Sequence, residues 1–268
     1  ALGLIGVGLW SMLSEPSGAP EPTAAPDSAP AVAQAAASPA ASITTRNAVE
    51  PVAADPEPES LDQLLVAHAS ETTTEAALTG LFTRWAAAYD PAGGRGCAQA
   101  TEQGLECLFQ KGSWAQLRTL NRPAVLTMTD DVGRTHQVVL TGLTDEQATI
   151  NLCGESREVS IAEVSRYWFG DFLLLWRPPM AVVKSLAPGM RGEDVRWLRE
   201  SMLIAQELPA ESRPSDVYDA ELTRLVQDFQ RQHRLAVDGV AGVQTQIVLD
   251  TVLNATGSPT IVARLAEG

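Results

Sequence analysis

Two segments near the C-terminus share one spacing, and this spacing constrains the fold more than any other feature of the chain. In each segment an aspartate is followed by a threonine and then by a valine, at Asp216, Thr223 and Val226 and again at Asp238, Thr245 and Val248. The second segment contains VDGVAG, whose glycines permit the positive φ that tight turns require. Each segment therefore predicts a tight turn that leads into a helix.

The stretches between and before these turns also have helical periodicity. LTRLVQDFQRQHRL places Leu222, Leu225, Val226 and Phe229 on one face. Upstream, LAPGMRGEDVRWLRESML places Val195, Leu198 and Met202 at the same period. Residues 182–254 resemble the small three-helix peptidoglycan-binding domain that is often appended to cell-wall enzymes, with matches at Leu186, Gly189, Gly192, Val195, Leu198, Phe229, Gln230, Asp238, Gly239, Gly242 and Thr245.

This resemblance implies a shallow groove near Asp238–Thr245 that holds a peptide or glycan of the cell wall. The candidates for contact with peptidoglycan are Tyr218, Asp238, Gly239, Gly242, Thr245 and Gln246. The alternative is that these residues only build turns and core. The first turn departs from the family pattern, because Val217 stands where the pattern has glycine and Asp219 replaces another glycine.

Residues 60–179 are predicted to form an α+β domain in which helices precede a mostly antiparallel sheet. TTTEAALTGLFTRWAAAY begins with a capping box at Thr72 and has one apolar face, which predicts a helix over 73–89. Capping boxes at Ser113 and Ser160 predict two further helices. Strands are predicted for PAVLTMTD, THQVVLTGL, QATINL and GDFLLLWRPP.

The hairpin RTHQVVLTGLTDEQATINL resembles the histidine-bearing hairpin of the papain-like peptidases that process bacteriocin leaders. In that family a histidine deprotonates a thiol, and an Asp or Asn on the next strand fixes the tautomer of the histidine. The corresponding residues here are His136 and Asn151. The family's nucleophile is a cysteine at the start of the first core helix, but that start reads SETTTEAA in this chain. The domain is therefore predicted to be a degenerate, inactive peptidase-like fold in which His136 and Asn151 are positional relics.

The three cysteines give no support to a thiol enzyme or a metal site. Cys97 follows the 73–89 helix, so it is an unsuitable nucleophile, and a disulfide between Cys97 and Cys107 is predicted instead. Such a bond is expected in an oxidising compartment. Cys153 is interpreted as a buried, inert thiol. The cysteines lack zinc-ligand spacing, and neither a metal nor a cofactor is predicted.

The N-terminal part of the chain has a different composition. Residues 1–13, ALGLIGVGLWSML, are uncharged and mostly apolar, and are interpreted as the end of a transmembrane helix. Residues 14–59 are rich in Pro and Ala and contain no aromatic residue, which predicts a disordered linker. At the other end, the tail 255–268 contains a short β-like run, Thr260 to Leu265, that could add a strand to the domain or to a partner.

The charge of the chain excludes one large class of partners. A net charge of −14 with no basic patch makes nucleic acid an unsuitable ligand. A nucleotide-binding Gly-x₄-Gly-Lys-Ser/Thr loop is also absent, so no ATPase activity is assigned to these residues.

Taken together, the chain resembles the periplasmic region of the general secretion pathway protein A (ExeA-type) family. This resemblance implies a non-enzymatic, peptidoglycan-binding assembly factor of type II secretion, anchored by a single pass in the inner membrane and facing the periplasm. Its implied role is to help the secretin insert through the cell wall, together with a B-type partner protein, as part of an oligomeric assembly. The alternative is a membrane-tethered cysteine peptidase or wall hydrolase that is targeted by the C-terminal module. A further alternative is a scaffold whose wall-binding module has lost its ligand.

Overall fold

The computed structural model describes residues 60–152, 154–180, 183–254 and 257–262. The predictions for 1–13 and 14–59, for Cys153 and for much of the tail lie outside these residues. Within the described part, none of the helices combines the length and the apolar character needed to cross a membrane.

Six strands form one sheet in which every neighbouring pair is antiparallel, in the order β1-β6-β2-β3-β4-β5. The strands are β1 (Glu106–Lys111), β2 (Ala124–Thr129), β3 (Thr135–Leu143), β4 (Gln147–Leu152), β5 (Glu155–Ser160) and β6 (Trp168–Trp176). The four predicted strands correspond to β2, β3, β4 and β6. The strands β1 and β5 form the two edges of the sheet and were not predicted.

Helices pack on both faces of this sheet. In the described part of the domain the α-helices are α1 (Leu61–Ala67), α2 (Thr74–Arg84), α3 (Gly96–Glu102), α4 (Trp114–Leu120) and α5 (Ile161–Tyr167). Leu81 and Phe82 of α2 join Val125 and Val139 of the sheet in one apolar cluster. Residues of α1, α4 and α5 pack with the opposite face in a second cluster, which continues into the C-terminal helices.

The start and end of α2 differ from the sequence prediction. The residue that caps the helix is Thr73, whose hydroxyl accepts from the backbone N–H of Ala76 at 3.3 Å. The helix stops at Arg84 rather than at position 89, since Ala86 has a left-handed φ of 51°. Thr72, the predicted cap, is therefore available for a contact elsewhere in the domain.

Three helices form the C-terminal domain, α6 (Glu193–Ala205), α7 (Ala220–Gln232) and α8 (Val243–Leu253). Their apolar faces meet in one core, with Leu198, Leu222 and Phe229 fully buried. The buried guanidinium of Arg199 fastens the loop before α7 by donating to the carbonyl of Val217 at 3.1 Å. The predicted fold class is confirmed: an α+β domain with an antiparallel sheet is followed by three helices.

A buried ion pair joins the two domains. Arg122, in the loop after α4, donates to Asp250 Oδ2 and to Thr251 Oγ1 of α8, both at 2.7 Å. The side chain of Arg122 is 1 % exposed and that of Asp250 is 9 % exposed. Burial lowers the pKa of Arg122, and the neighbouring Asp250 opposes that change.

The described part of the tail crosses the same junction. The side-chain oxygen of Asn121 accepts from the backbone N–H groups of Ile261 at 3.0 Å and Val262 at 2.8 Å. The carbonyl of Ile261 accepts from the N–H of Leu143, the last residue of β3, at 2.8 Å. The tail therefore contacts the domain's own sheet through one backbone hydrogen bond at its buried Ile261.

Candidate functional site

The imidazole of His136 lies in a closed polar cluster at one end of the sheet. Its Nδ1 is 2.7 Å from Thr72 Oγ1, and its Nε2 is 3.2 Å from Asp130 Oδ2. Asp130 can only accept, so the imidazole donates the hydrogen bond at Nε2. His136, Thr72 and Asp130 are all buried. The arrangement fixes the orientation of an imidazole that is only 1 % exposed.

Asp130 holds this cluster together from the turn between β2 and β3. Its Oδ1 accepts from the backbone N–H of Arg134 at 2.7 Å and of Val132 at 3.1 Å, and its Oδ2 accepts from Arg134 Nε at 2.8 Å. Burial alone would raise the pKa of Asp130, but the hydrogen bonds from Arg134 and His136 outweigh it and hold the pKa well below its usual range. The carboxylate is therefore ionised at neutral pH, and it stabilises the turn as well as the imidazole.

The structure does not bring His136 and Asn151 together. Asn151 of β4 is paired with Val139 of β3, and cross-strand partners point to the same face of a sheet. His136 is three positions from Val139 on the same strand, so its side chain points to the opposite face. Asn151 lines a surface recess with Gln137 and Val139 instead. The residue that orients His136 is Asp130, which the sequence analysis included only as the last residue of the predicted strand PAVLTMTD.

Cys97 and Cys107 are joined by a disulfide that links α3 to β1. Both sulfurs lie at the rim of the apolar cluster that contains α2. A cysteine in this bond has no thiolate to offer as a nucleophile.

In the C-terminal domain, Gln230 organises the loop between α7 and α8. Its Nε2 donates to Asp238 Oδ1 at 2.8 Å and to the carbonyl of Val240 at 3.0 Å, while its Oε1 accepts from the N–H of Gly239 at 2.9 Å. The backbone N–H of Val240 lowers the pKa of Asp238, and Gln230 adds to that effect against the opposing effect of burial. Asp238 is exposed at the surface of the loop, so it can both hold the turn and meet a ligand.

Three of the predicted contact residues point into the domain. The hydroxyl of Tyr218 donates to the carbonyl of Gly239 at 2.7 Å, and burial raises the pKa of Tyr218. The hydroxyl of Thr245 accepts from Gln230 Nε2 at 3.3 Å. Gln246 donates to the carbonyls of Lys184 and Ala241, both at 2.8 Å. All three side chains are buried, so they shape the loop rather than its outer surface.

Gly239 is required by the backbone, whereas Gly242 is not. Gly239 has a φ of +71°, and an added Cβ would lie 2.9 Å from Thr223 Cγ2. Gly242 has a φ of −78°, and an added Cβ would meet only Ser185 Oγ at 3.7 Å. Of the six predicted contact residues, Asp238 is exposed and Gly242 is partly exposed to solvent. Neither of the two fills the core of the domain.

A groove runs between this loop and the first domain. One part, of about 310 Å³, lies beside Asp238, Gly242 and Leu108 of β1. A larger part, of about 690 Å³, lies between the loop and α4. Both parts are lined by Leu235, Ala236 and Gln244. Across the described residues, no group of three or more His, Cys, Asp or Glu side chains could hold a metal ion.

The comparisons with known proteins agree with the sequence reading. Residues 191–249 match the family described as "Putative peptidoglycan binding domain". The General secretion pathway protein A of Aeromonas hydrophila is 30% identical over 202 residues, which cover 75% of this chain and 36% of that protein. The chain thus spans about a third of the length of this relative.

The solved structures that match have lower sequence identity to this chain. A periplasmic domain of the EpsAB fusion protein of the Vibrio vulnificus type II secretion system is 24% identical, with a TM-score of 0.47 over 69% of this chain and 81% of that one. The peptidase domain of Streptococcus ComA is 16% identical, with a TM-score of 0.35 over 40% of this chain and 93% of that one. At these TM-scores the structural matches add nothing to the argument from the sequence. The family match and the sequence identity confirm the predicted resemblance: over three quarters of its length this chain is a relative of the general secretion pathway protein A (ExeA-type) family.

Proposed function

We propose that this chain binds peptidoglycan without acting as an enzyme, as part of the machinery of type II secretion. The observation that carries the proposal is the family match over 191–249, which covers α6, α7, the first part of α8 and the loop that opens on the groove. Binding residues commonly collect on loops that a rigid scaffold positions. The groove at Asp238 and Gly242 is accordingly the proposed wall-binding surface.

The first domain supports a non-enzymatic role. The hydroxyl nearest to the imidazole of His136 belongs to Thr72, which is buried. The cysteine that a peptidase would need is absent from the start of α2, and Cys97 is held in a disulfide. We therefore assign this domain a role in protein interaction, since a fold alone does not confer an activity.

The proposed location is the periplasmic side of the bacterial inner membrane, with a single-pass anchor. The disulfide supports an oxidising compartment, and the apolar residues 1–13 followed by a Pro/Ala-rich segment support an anchor and a spacer. The proposed partners are peptidoglycan, a B-type secretion protein and the secretin, whose insertion through the wall this protein would assist. These partners rest on the resemblance to the general secretion pathway protein A family.

Co-sedimentation with purified sacculi tests the wall-binding proposal. We expect the chain to pellet with sacculi, and we expect Ala236→Glu, which adds a carboxylate in the groove, to shift it to the supernatant. Ala220→Glu is the matched control, because Ala220 is also exposed but lies at the other end of α7. Wild-type protein that stays in the supernatant would refute the proposal. If the two variants pellet equally, the binding surface does not include this loop.

A further inference from the structure

The larger part of the groove is built by both domains. One wall consists of α4, with Gln116, Arg118 and Thr119, and of the exposed Asp145, and the other consists of Arg234 in the loop after α7 and Gln244 at the start of α8. Gln244 reaches across to the first domain, where its Nε2 donates to Gln110 Oε1 of β1 at 3.2 Å. A ligand in this groove would therefore contact the peptidase-like domain as well as the C-terminal domain.

Each wall contributes one arginine. Nη2 of Arg118 donates to the carbonyls of Thr144 at 2.6 Å and Asp145 at 3.3 Å, which fixes the side chain at the edge of the groove. Its Nη1 donates to no atom of the described residues. The carboxylate of Asp145 lies 3.7 Å from Arg118 Nε, but that side chain is fully exposed and is a weak partner. Arg118 is thus positioned by the protein while part of its guanidinium stays available.

Arg234 has no side-chain partner within the described part of the chain. This differs from the arginines at positions 134, 157, 196, 199 and 231, each of which forms an ion pair. Other described arginines, such as Arg213 and Arg224, also lack an ion pair, and Arg234 differs from them because it lines the groove. Its charge is free to meet an anion that enters the groove.

The backbone at Arg234 fixes where its side chain leaves the end of α7. Arg234 directly follows His233, the C-cap of α7, and has a left-handed φ of 55°. Helices commonly place glycine in this conformation after their C-cap, because a Cβ is unfavourable there. Ala86 after α2 and Glu207 after α6 have the same conformation, so it does not by itself indicate a ligand.

The junction between the domains keeps the two walls at a fixed distance. The Arg122–Asp250 ion pair holds the loop after α4 against α8, and Asn121 binds the tail at the same place. Because α4 and α8 cannot separate without breaking this buried pair, Arg118 and Arg234 form one preorganised site rather than two independent surface charges.

We propose that this two-domain groove binds the peptide stems of peptidoglycan through their free carboxylates, with Arg118 and Arg234 as the anion-binding residues. Guanidinium groups recognise carboxylates through charge-assisted, bidentate hydrogen bonds. In the intact wall the lactyl carboxyl group of a muramic sugar that bears a stem is held in the amide bond to that stem, whereas the stems end in free carboxylates. The amides of Gln116 and Gln244 line the same groove and suit the peptide bonds of a stem. This inference rests on the wall-binding function proposed above.

The test compares Arg234→Gln with Arg213→Gln in the full chain. Both arginines are exposed, both lack a partner among the described residues, and both substitutions remove one positive charge, but Arg213 lies outside the groove. The probes are intact sacculi alone and intact sacculi with an excess of soluble stem peptides, whose carboxylates are either free or amidated. We expect Arg234→Gln to weaken binding to intact sacculi by about tenfold to a hundredfold, as for the loss of a charged hydrogen bond, and Arg213→Gln to leave it unchanged. Stem peptides with free carboxylates should release wild-type protein from the sacculi, and the amidated peptides should not.

The possible outcomes separate the two proposals. Wild-type binding that free-carboxylate stem peptides do not reduce, or that Arg234→Gln and Arg213→Gln leave equally strong, overturns the carboxylate site while wall binding stands. Wild-type protein that does not pellet with sacculi overturns the wall-binding proposal and this inference with it. Unfolding temperatures of the two variants should match that of the wild type, because neither arginine forms a side-chain contact that the fold uses.

Discussion

The polar cluster around His136 and the groove between α4 and the α7–α8 loop both gather charged side chains, but they differ in how those charges are satisfied. In the cluster, Asp130 accepts from His136 and Arg134, and Thr72 contacts the other nitrogen of the imidazole, all within one domain. In the groove, Arg234 has no partner in the described residues and Arg118 has one guanidinium nitrogen to spare. Residue types that suggest catalysis can therefore serve only to stabilise the fold. Side chains without an internal partner, in contrast, remain able to bind a ligand.

Breaking the junction should have the largest effect, because the groove depends on it. Arg122→Met removes the guanidinium that faces the buried Asp250, and we expect the free energy of unfolding to fall by about 3–5 kcal/mol. Urea unfolding measures this change, and sacculus binding should fall as well, since α4 would loosen from α8. Arg196→Met is the control: it removes a surface i,i+3 pair with Glu193 and should cost about 1 kcal/mol or less. Equal losses for the two variants would contradict the role assigned to the junction.

Breaking the hydrogen bond between Thr72 and His136 should reduce stability without changing wall binding. Thr72→Val keeps the shape of the side chain but removes the hydroxyl that contacts His136 Nδ1, so we expect a loss of about 1–3 kcal/mol in urea unfolding. Thr79→Val, on the exposed side of α2, should change stability by about 0.5 kcal/mol or less. A Thr72→Val protein that is fully folded but no longer pellets with sacculi would show that the two regions are not independent.

The smallest expected effect concerns the pH dependence of the α7–α8 loop. The pKa of Asp238 is lowered in the folded chain by the N–H of Val240 and by Gln230, relative to about 3.9 in an unfolded chain. Its stabilising contribution is therefore fully present above that unfolded value and is lost as the pH falls through the folded pKa. We expect the stability difference between wild type and Asp238→Asn to shrink on titration from pH 6 to pH 3, as followed by urea unfolding. A difference that stays constant over this range would show that the ionised Asp238 does not stabilise the loop.

The sequence predicted the parts of the fold that have a clear period. The spacing of Leu78, Leu81 and Phe82 predicted α2, and the alternation in THQVVLTGL predicted β3. The edge strands β1 and β5 were missed because they mix exposed and partly buried residues, with no apolar run and no regular alternation. The cap of α2 was misplaced by one residue: three successive threonines can each cap a helix, and only the contact with His136 decides which of them does.

The candidate site was predicted less well, because its chemistry depends on contacts between distant parts of the chain. The pairing of Asp130 with His136 follows from the β2–β3 register, which no local pattern reveals. Tyr218, Thr245 and Gln246 were predicted as contact residues on family resemblance, yet the packing of α7 and α8 turns their side chains inward. Arg118 and Arg234 are 116 positions apart in sequence, and only the docking of the two domains places them on one groove.

The left-handed backbone at Arg234 has a consequence for selection. Arg234→Gly removes the unfavourable Cβ contact of a left-handed residue and should raise stability by about 1 kcal/mol. A library of variants sorted for heat resistance alone would therefore enrich this change, although it deletes one of the two arginines of the proposed groove. Selection for thermal stability therefore favours glycine at position 234, whereas selection for wall binding favours arginine there.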